Sequence, residues 1–254
     1  MVHSWKYFAQ SSDTEPPNAL TSQRILFEMD TAYGKVIWNF PDDYDSYDNF
    51  KRIVYHRLDK SSSPGWPYLR ENSTVGQWLG WNGVFADDSK MKRLWYDVNL
   101  VLEDRWESVL KCFVKQEPHK LSKVVDKRWR LIMAASLPVT IAWHMHFDYM
   151  NDLEIEHSYD IPSQQGMTFV GGAWKLFYRS WQQRGLTCGL DKSSWDWTAP
   201  HWALQLDLQF RYRMGRGKKM EQWLKTAKLL YQHMFDDPTF LISDGRSFKQ
   251  VVPG

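Results

Sequence analysis

Cysteine is scarce: Cys112 and Cys188 are the two in 254 residues, too few for a disulfide framework or a cysteine-built zinc site. They fit a reducing compartment. No run approaches the roughly 18 consecutive apolar residues of a membrane span. The N-terminus also lacks the apolar core of a secretion signal. No segment repeats. Nor does one sign of charge dominate. The 32 Lys and Arg against 30 Asp and Glu leave a formal net charge of +2, and that overall balance does not mark a nucleic-acid binder. What remains is 43% hydrophobic and 24% charged, an ordinary soluble globular composition. The length suits one large domain or two smaller ones.

Two things are present in excess. There are 15 tryptophans, whose large planar surfaces serve cores, interfaces and base stacking alike. The positive charge is also concentrated. Lys111, Lys115, Lys120, Lys123, Lys127, Arg128 and Arg130 face only Glu117 and Asp126 in the same stretch, a local net +5 that leaves −3 for the rest of the chain.

Residues 1–60 read as mixed and partly irregular. "SSSPGWPYLREN" (Ser61 to Asn72) carries Pro64, Gly65 and Pro67, which forbid a regular helix. From Asp87 to Val114 the spacing of Leu94, Val98, Val101, Trp106 and Leu110 predicts a helix. "RWRLIMAAS" alternates as a strand does, with Arg128, Arg130 and Ile132 on one face and Trp129, Leu131 and Met133 on the other. A helix is expected over about Pro138 to Glu156, a loop at "PSQQGMTFVGG", and a further helix over Trp174 to Trp181. "LTCGL" (Leu186 to Leu190) reads as a short buried strand ending at Asp191. Thr198 suits an N-cap and Pro200 a first helical turn, before a helix striped by Ala203, Leu206 and Phe210. "TFLISDGRSFKQVV" predicts a hairpin turning at Asp244–Gly245.

The stretch "GLDKSSWDWTAPHW" sets Asp191 and Asp196 five positions apart in a turn between strand and helix. A carboxylate at a strand end offers its oxygens to a hard cation from a rigid platform. Asp196 would address something beside the ion, and Trp195 and Trp197 would bury and lock the turn. The plainer alternative has both aspartates accepting turn amides and capping the helix. The basic run has its own plain alternative as solvated surface. Against it stand two arginines suited to a planar clamp on phosphate or base, with Glu117 inside the cluster to orient one of them.

Taken together, these stretches resemble the RNA-dependent RNA polymerases of positive-strand RNA viruses, most closely the sobemovirus and polerovirus-like group. "FVKQEPHKLSKVVDKRWRLIMAAS" (Phe113 to Ser136) is similar to that family's motif F, "GLDKSSWDWTAP" to its motif A and "SSSPGWPY" to its motif G, in the family's order. The resemblance implies an α+β right-hand polymerase, with fingers over 1–184 and the start of the palm over 185–254. It implies that Asp191 binds catalytic magnesium (or manganese) and that Asp196 contacts the ribose of the incoming nucleotide. Lys115, Lys120, Lys127, Arg128 and Arg130 would line the channel for nucleoside triphosphates, with Glu117 positioning them. Ser63, Gly65 and Pro67 would guide the template. The implied partners are an RNA template and nascent strand, nucleoside triphosphates and other viral replicase proteins. The implied location is the host cytoplasm, at membrane-associated replication complexes.

Motif B (Ser-Gly, then Thr and Asn) and motif C (Gly-Asp-Asp) are not found, and "VVPG" reads as the approach to motif B. The expectation is therefore a fragment, fingers plus an incomplete palm, silent in catalysis by itself. Two other classes are weighed. One is a non-catalytic RNA-binding or replicase-assembly module. The other is a metal-dependent hydrolase built on His144, His146 and Asp148. In a helix, residues two apart point to different sides, which disfavours the hydrolase.

Overall fold

The computed structural model describes residues 2–11 and 14–253. Helices α1 (Val2–Ser11) and α2 (Ala19–Ala32) lead to the two-residue strand β1 (Trp38–Asn39). Three more helices follow, α3 (Tyr47–His56), α4 (Val75–Leu79) and α5 (Asp88–Leu102). Next come strand β2 (Val109–Val114), the short helix α6 (Leu121–Val125) and strand β3 (Leu131–Ala134). Helix α7 (Leu137–Glu156) precedes α8 (Ala173–Gln183), α9 (Trp195–Thr198) and α10 (His201–Met214). The described chain finishes with β4 (Gly215–Arg216), α11 (Met220–Tyr231), β5 (Thr239–Leu241) and β6 (Ser247–Lys249). Side chains start many of the helices. Asn18, Ser46, Thr74 and Asp87 each accept a hydrogen bond from the amide three residues on, satisfying donors that a helix start leaves open.

The chain divides into two compact units. The first takes Met1–Phe40 and Asp148–Met220. In it β1 and β4 pair in parallel, Trp38 opposite Gly215. The buried Trp38 donates its indole N–H to the Arg211 carbonyl at 3.0 Å. Space at Gly215 is tight: a Cβ there would stand 2.9 Å from the buried Trp38 ring and would displace the end of the Met220 side chain. Tyr33 packs edge-on against Phe210, and Tyr159 stacks on Phe177.

The second unit takes Pro41–Phe147 and Glu221–Pro253. Its core joins Phe50, Ile53 and Val54 of α3 to Trp78, Leu94 and Val98, and to Ile141 and Met145 of α7. Beside this core lies a four-stranded sheet ordered β3-β2-β5-β6. β2 pairs antiparallel with β3 (Cys112 opposite Met133) and parallel with β5 (Leu110 opposite Phe240). The hairpin expected near Asp244–Gly245 forms, Leu241 opposite Ser247, with Gly245 at φ +90°.

Four expectations need correction. The helix predicted from Asp87 to Val114 stops at Leu102, and Asp104 adopts φ +57°. Residues Val109–Val114 are instead strand β2, held on both edges, so sheet pairing overrides the helical spacing of Trp106 and Leu110. The strand predicted from Arg128 begins at Leu131. "LTCGL" is not a buried strand: Leu186 to Leu190 are exposed and irregular. An isolated strand has no ladder partner for its amides and carbonyls. Finally, α10 begins at His201 with Pro200 at its N-cap, while Thr198 closes α9. A residue before proline is pushed out of the helical region, and Ala199 is extended at ψ 117°.

His146, 1% exposed on α7, shares its Nδ1 with the Ala142 carbonyl at 2.8 Å, and burial pushes its pKa from the usual 6.5 down to about 4. Its stabilising contribution is therefore present above pH 6.5 and is lost as pH falls through 4. The full loss is about 3 kcal/mol. Urea midpoints measured across that window should decline for the native chain and decline less for His146→Leu; a native midpoint that stays flat contradicts a neutral buried imidazole.

Candidate functional site

The basic run occupies the connection between β2 and β3 in the second unit. Hydrogen bonding continues one step past the paired strands, the Lys115 amide donating to the Arg130 carbonyl at 2.8 Å. That step brings the two ends of the connection together. Glu117 then bridges them: its carboxylate lies 3.0 Å from Lys115 Nζ and 3.6 Å from Arg130 Nη1. The Lys115 hydrogen bond, with Arg130 and His119 nearby, holds the Glu117 carboxyl below the usual carboxylate range. His119 packs edge-on against Trp129, ring centroids 5.3 Å apart, across the same connection. Three predicted site residues are thus assembled into one cation–carboxylate–cation unit.

The other predicted cations are placed differently. Arg128 does not share a strand face with Arg130. It follows α6, its amide donating to the Lys123 carbonyl and its guanidinium pairing with Asp126 at 2.8 Å. The reason is local: Lys127 sits at φ +53°, which turns the chain out of helix α6 before β3 starts. Lys120 stands just before α6 and is exposed, as is Lys127. Lys111 donates to the Ile242 carbonyl at 3.0 Å and is used to tie β2 to the β5–β6 hairpin.

The proline-rich elbow is stitched to the far end of β3. Gly65 is buried at φ +69°, and a Cβ there would fall 2.2 Å from the Ala135 carbonyl oxygen. Leu137 donates its amide to the Pro64 carbonyl at 2.8 Å, Ser63 Oγ accepts from the Gly65 amide at 3.3 Å, and the Trp66–Pro67 bond is cis. Ser63 and Pro67 are exposed, so they alone of the three predicted elbow residues present a surface.

Past the elbow lies a cluster that sequence reading missed. Glu71 accepts from Trp78 Nε1 at 3.1 Å, Lys90 at 3.2 Å and Arg93 at 2.8 Å. Its partners are 7, 19 and 22 residues away, and no local spacing signals them.

Asp191 and Asp196 belong to the first unit, and both are exposed. Asp191 lies in irregular chain, whereas Asp196 lies within the single helical turn α9 and not in the preceding turn. The turn is held by its own backbone, Ser194 at φ +53° accepting from the Trp197 amide at 2.8 Å, and by the Thr198 hydroxyl bonding to the Ser193 carbonyl. Trp195 does not lock it by burial, being 50% exposed. Among the described residues no three His, Cys, Asp or Glu side chains come together to hold a metal ion. The residues present therefore do not fit a complete divalent-cation site, although Asp191 offers one hard oxygen donor. His144 and His146 lie on α7, whose helical geometry points them to different sides, and the hydrolase reading loses its ligand set.

A sequence model of the family described as "Viral RNA-dependent RNA polymerase" matches residues 9–250. The chain is similar to the "RNA-directed RNA polymerase" of Mushroom bacilliform virus, 28% identical over 218 residues, covering 80% of this chain and 52% of that protein. It is 35% identical to the "Replicase polyprotein P2AB" of Southern bean mosaic virus over 233 residues, covering 85% of this chain and 24% of that one. It therefore spans about half or less of these relatives' lengths. Among solved structures, the Sicinivirus 3Dpol RNA dependent RNA polymerase matches at a TM-score of 0.69 over 97% of this chain and 52% of that one, at 15% identity. A likeness at that identity establishes the fold, the α+β right-hand architecture.

Gly65→Ala should lower stability by about 2–4 kcal/mol, because the new methyl meets an immovable carbonyl at a positive φ. Gly34→Ala, where a Cβ meets nothing within 4 Å, serves as the matched control in the same urea titration. Equal midpoints for the two variants would mean that the elbow does not rest on Ala135.

Proposed function

The chain belongs to the viral RNA-dependent RNA polymerase family, and on that premise we propose that it serves template-directed RNA synthesis. The reaction transfers ribonucleotides from nucleoside triphosphates to an RNA 3′ end during viral genome replication. The observation that carries this reading is the Glu117 carboxylate holding Lys115 and Arg130 together at the neck of the β2–β3 connection. Phosphoryl transfer asks mainly for alignment and charge stabilisation, and a pinned lysine–arginine pair supplies both to a triphosphate. Arg130 has the planar fork for a bidentate phosphate contact or for stacking near the base. Lys120, Lys127 and Arg128 extend the cationic lining, with Arg128 oriented by Asp126.

In this reading residues 1–184 act as the fingers region and 185–254 as the start of the palm, with the template guided by Ser63, Gly65 and Pro67. Gly65 acts through the backbone it fixes, Ser63 and Pro67 through their exposed surfaces. Asp196 would accept a hydrogen bond from the ribose 2′-hydroxyl, the group that separates RNA from DNA precursors. Members of the family are generally dependent on a divalent metal. Magnesium or manganese is the ion proposed here, with Asp191 as one ligand. A lone exposed carboxylate is too little to hold it in place, so no step is derived through the ion. Partners are the RNA template and nascent strand, nucleoside triphosphates and other viral replicase proteins. The proposed location is the host cytoplasm, at membrane-associated replication complexes. No helix among the described residues is long and apolar enough to cross a membrane.

A second reading, that this chain alone binds RNA without catalysing, is favoured by the absence, among the described residues, of any three His, Cys, Asp or Glu side chains grouped to hold a metal ion. The two readings part in two assays. The isolated 254-residue chain should give no nucleotide incorporation on a primed template, and robust synthesis would overturn that expectation. In a full-length polymerase bearing this segment, Asp191→Asn should abolish incorporation while RNA affinity stays within about twofold, since phosphate contacts and not the metal ligand set that affinity. Lys115→Ala with Arg130→Ala should weaken RNA binding and flatten its salt dependence by roughly one to two logarithmic units per decade of salt. Unchanged incorporation in Asp191→Asn would show the catalytic assignment to be wrong.

A further inference from the structure

We propose that Trp66 and Arg70 form a stacking platform for a single-stranded RNA at the outer edge of the elbow; the inference rests on the polymerase reading above and adds residues to it. The Arg70 guanidinium carbon lies 5.5 Å from the centre of the Trp66 ring. Trp66 is half-buried and Arg70 exposed. Both are fixed from below. The Gly65 carbonyl accepts from the Leu69 amide at 2.8 Å, the Pro67 carbonyl accepts from the Arg70 amide at 3.0 Å, and Gly65 itself rests on Ala135. Between them Tyr68 is buried, its hydroxyl donating to Asp97 and its ring meeting Trp78 edge-on at 4.6 Å.

Charge accounting separates Arg70 from its neighbours. Lys90 and Arg93 also lie over aromatic rings, but both end on Glu71. Arg70 has no carboxylate partner among the described residues. A stacked guanidinium without a counter-ion keeps its outer N–H groups for a phosphate and its free face for a base. A single strand offers both at once, because its bases are unstacked and available to aromatic or arginine planes. A duplex offers only phosphates.

The test is fluorescence anisotropy of the 254-residue chain with a labelled, unstructured RNA of about twelve nucleotides, the length scale of common single-strand sites, and with a blunt duplex of the same sequence. Arg70→Ala should weaken single-strand binding about tenfold and reduce its salt slope by roughly 0.7, one phosphate contact. Arg70→Lys keeps the charge and loses the plane, so it should lose about three- to tenfold with the slope unchanged and duplex binding unaltered. Trp66→Leu should behave like Arg70→Lys. Arg93→Gln, whose charge is already met by Glu71, should bind as the native chain does. Thermal midpoints equal to the native value certify folding, and Arg70→Lys carries the decision should Trp66→Leu fail that check. Native affinity in Arg70→Lys, or an equal loss in Arg93→Gln, overturns the platform. If Lys115→Ala with Arg130→Ala weakens binding and Arg70→Lys does not, the platform falls and the polymerase reading stands. If none of these variants changes RNA binding, both fall.

Discussion

At Gly65 two backbone segments approach with nothing between them. A single methyl there would meet the Ala135 carbonyl at 2.2 Å, so the contact exists only because position 65 has no side chain and tolerates φ +69°. Much of the candidate site in the second unit inherits its geometry from this contact. It fixes the elbow against the end of β3, β3 fixes Arg130 opposite Lys115, and Glu117 clamps the pair. Interiors packed to native density transmit a misfit at one such point to the neighbouring elements. The elbow and the basic connection are therefore one mechanical object, though some 50 residues of sequence lie between them.

The electrostatics are more local than the sequence suggests. A net +5 over Lys111 to Arg130 reads as one cationic patch. In the folded chain it is subdivided. Lys111 serves the Ile242 carbonyl, Arg128 serves Asp126, and Lys115 and Arg130 share one carboxylate. Lys120, Lys123 and Lys127 remain as exposed charge on and around α6. Exposed pairs such as these add little to stability. Their value lies in orientation, since a guanidinium held by a carboxylate presents the same edge to every ligand.

The parts legible in the sequence were those whose signal is contained within a few residues. The elbow announced itself through Pro64, Gly65 and Pro67, the long helix α7 through its apolar periodicity, and the last hairpin through Asp244–Gly245. The position of Glu117 inside the basic run suggests that it orients an arginine, and it lies between Lys115 and Arg130. The larger failures share one physical cause, dependence on a distant neighbour; Arg128 is a local exception. Val109–Val114 carries helical spacing but becomes a strand because β3 and β5 supply ladders on both sides. Leu186–Leu190 carries strand composition but finds no ladder and stays irregular. Arg128 leaves the strand because Lys127 turns the chain, and no propensity rule flags a lysine at positive φ. Glu71 and Arg70 were invisible for the same reason, their roles being defined by which cations already have a counter-ion.

β2 has one neighbour close in sequence and another far away: β3 follows within about twenty residues, whereas its parallel partner β5 begins at Thr239. On the ribosome, then, the arm bearing Lys115 and Arg130 emerges with one lateral row of peptide groups unmet until more than a hundred further residues have been made. Loop closure over that span is slow, and an open sheet margin is adhesive in the interim. Until the β5–β6 ribbon has been made, that margin of β2 stays open to pairing with other strands.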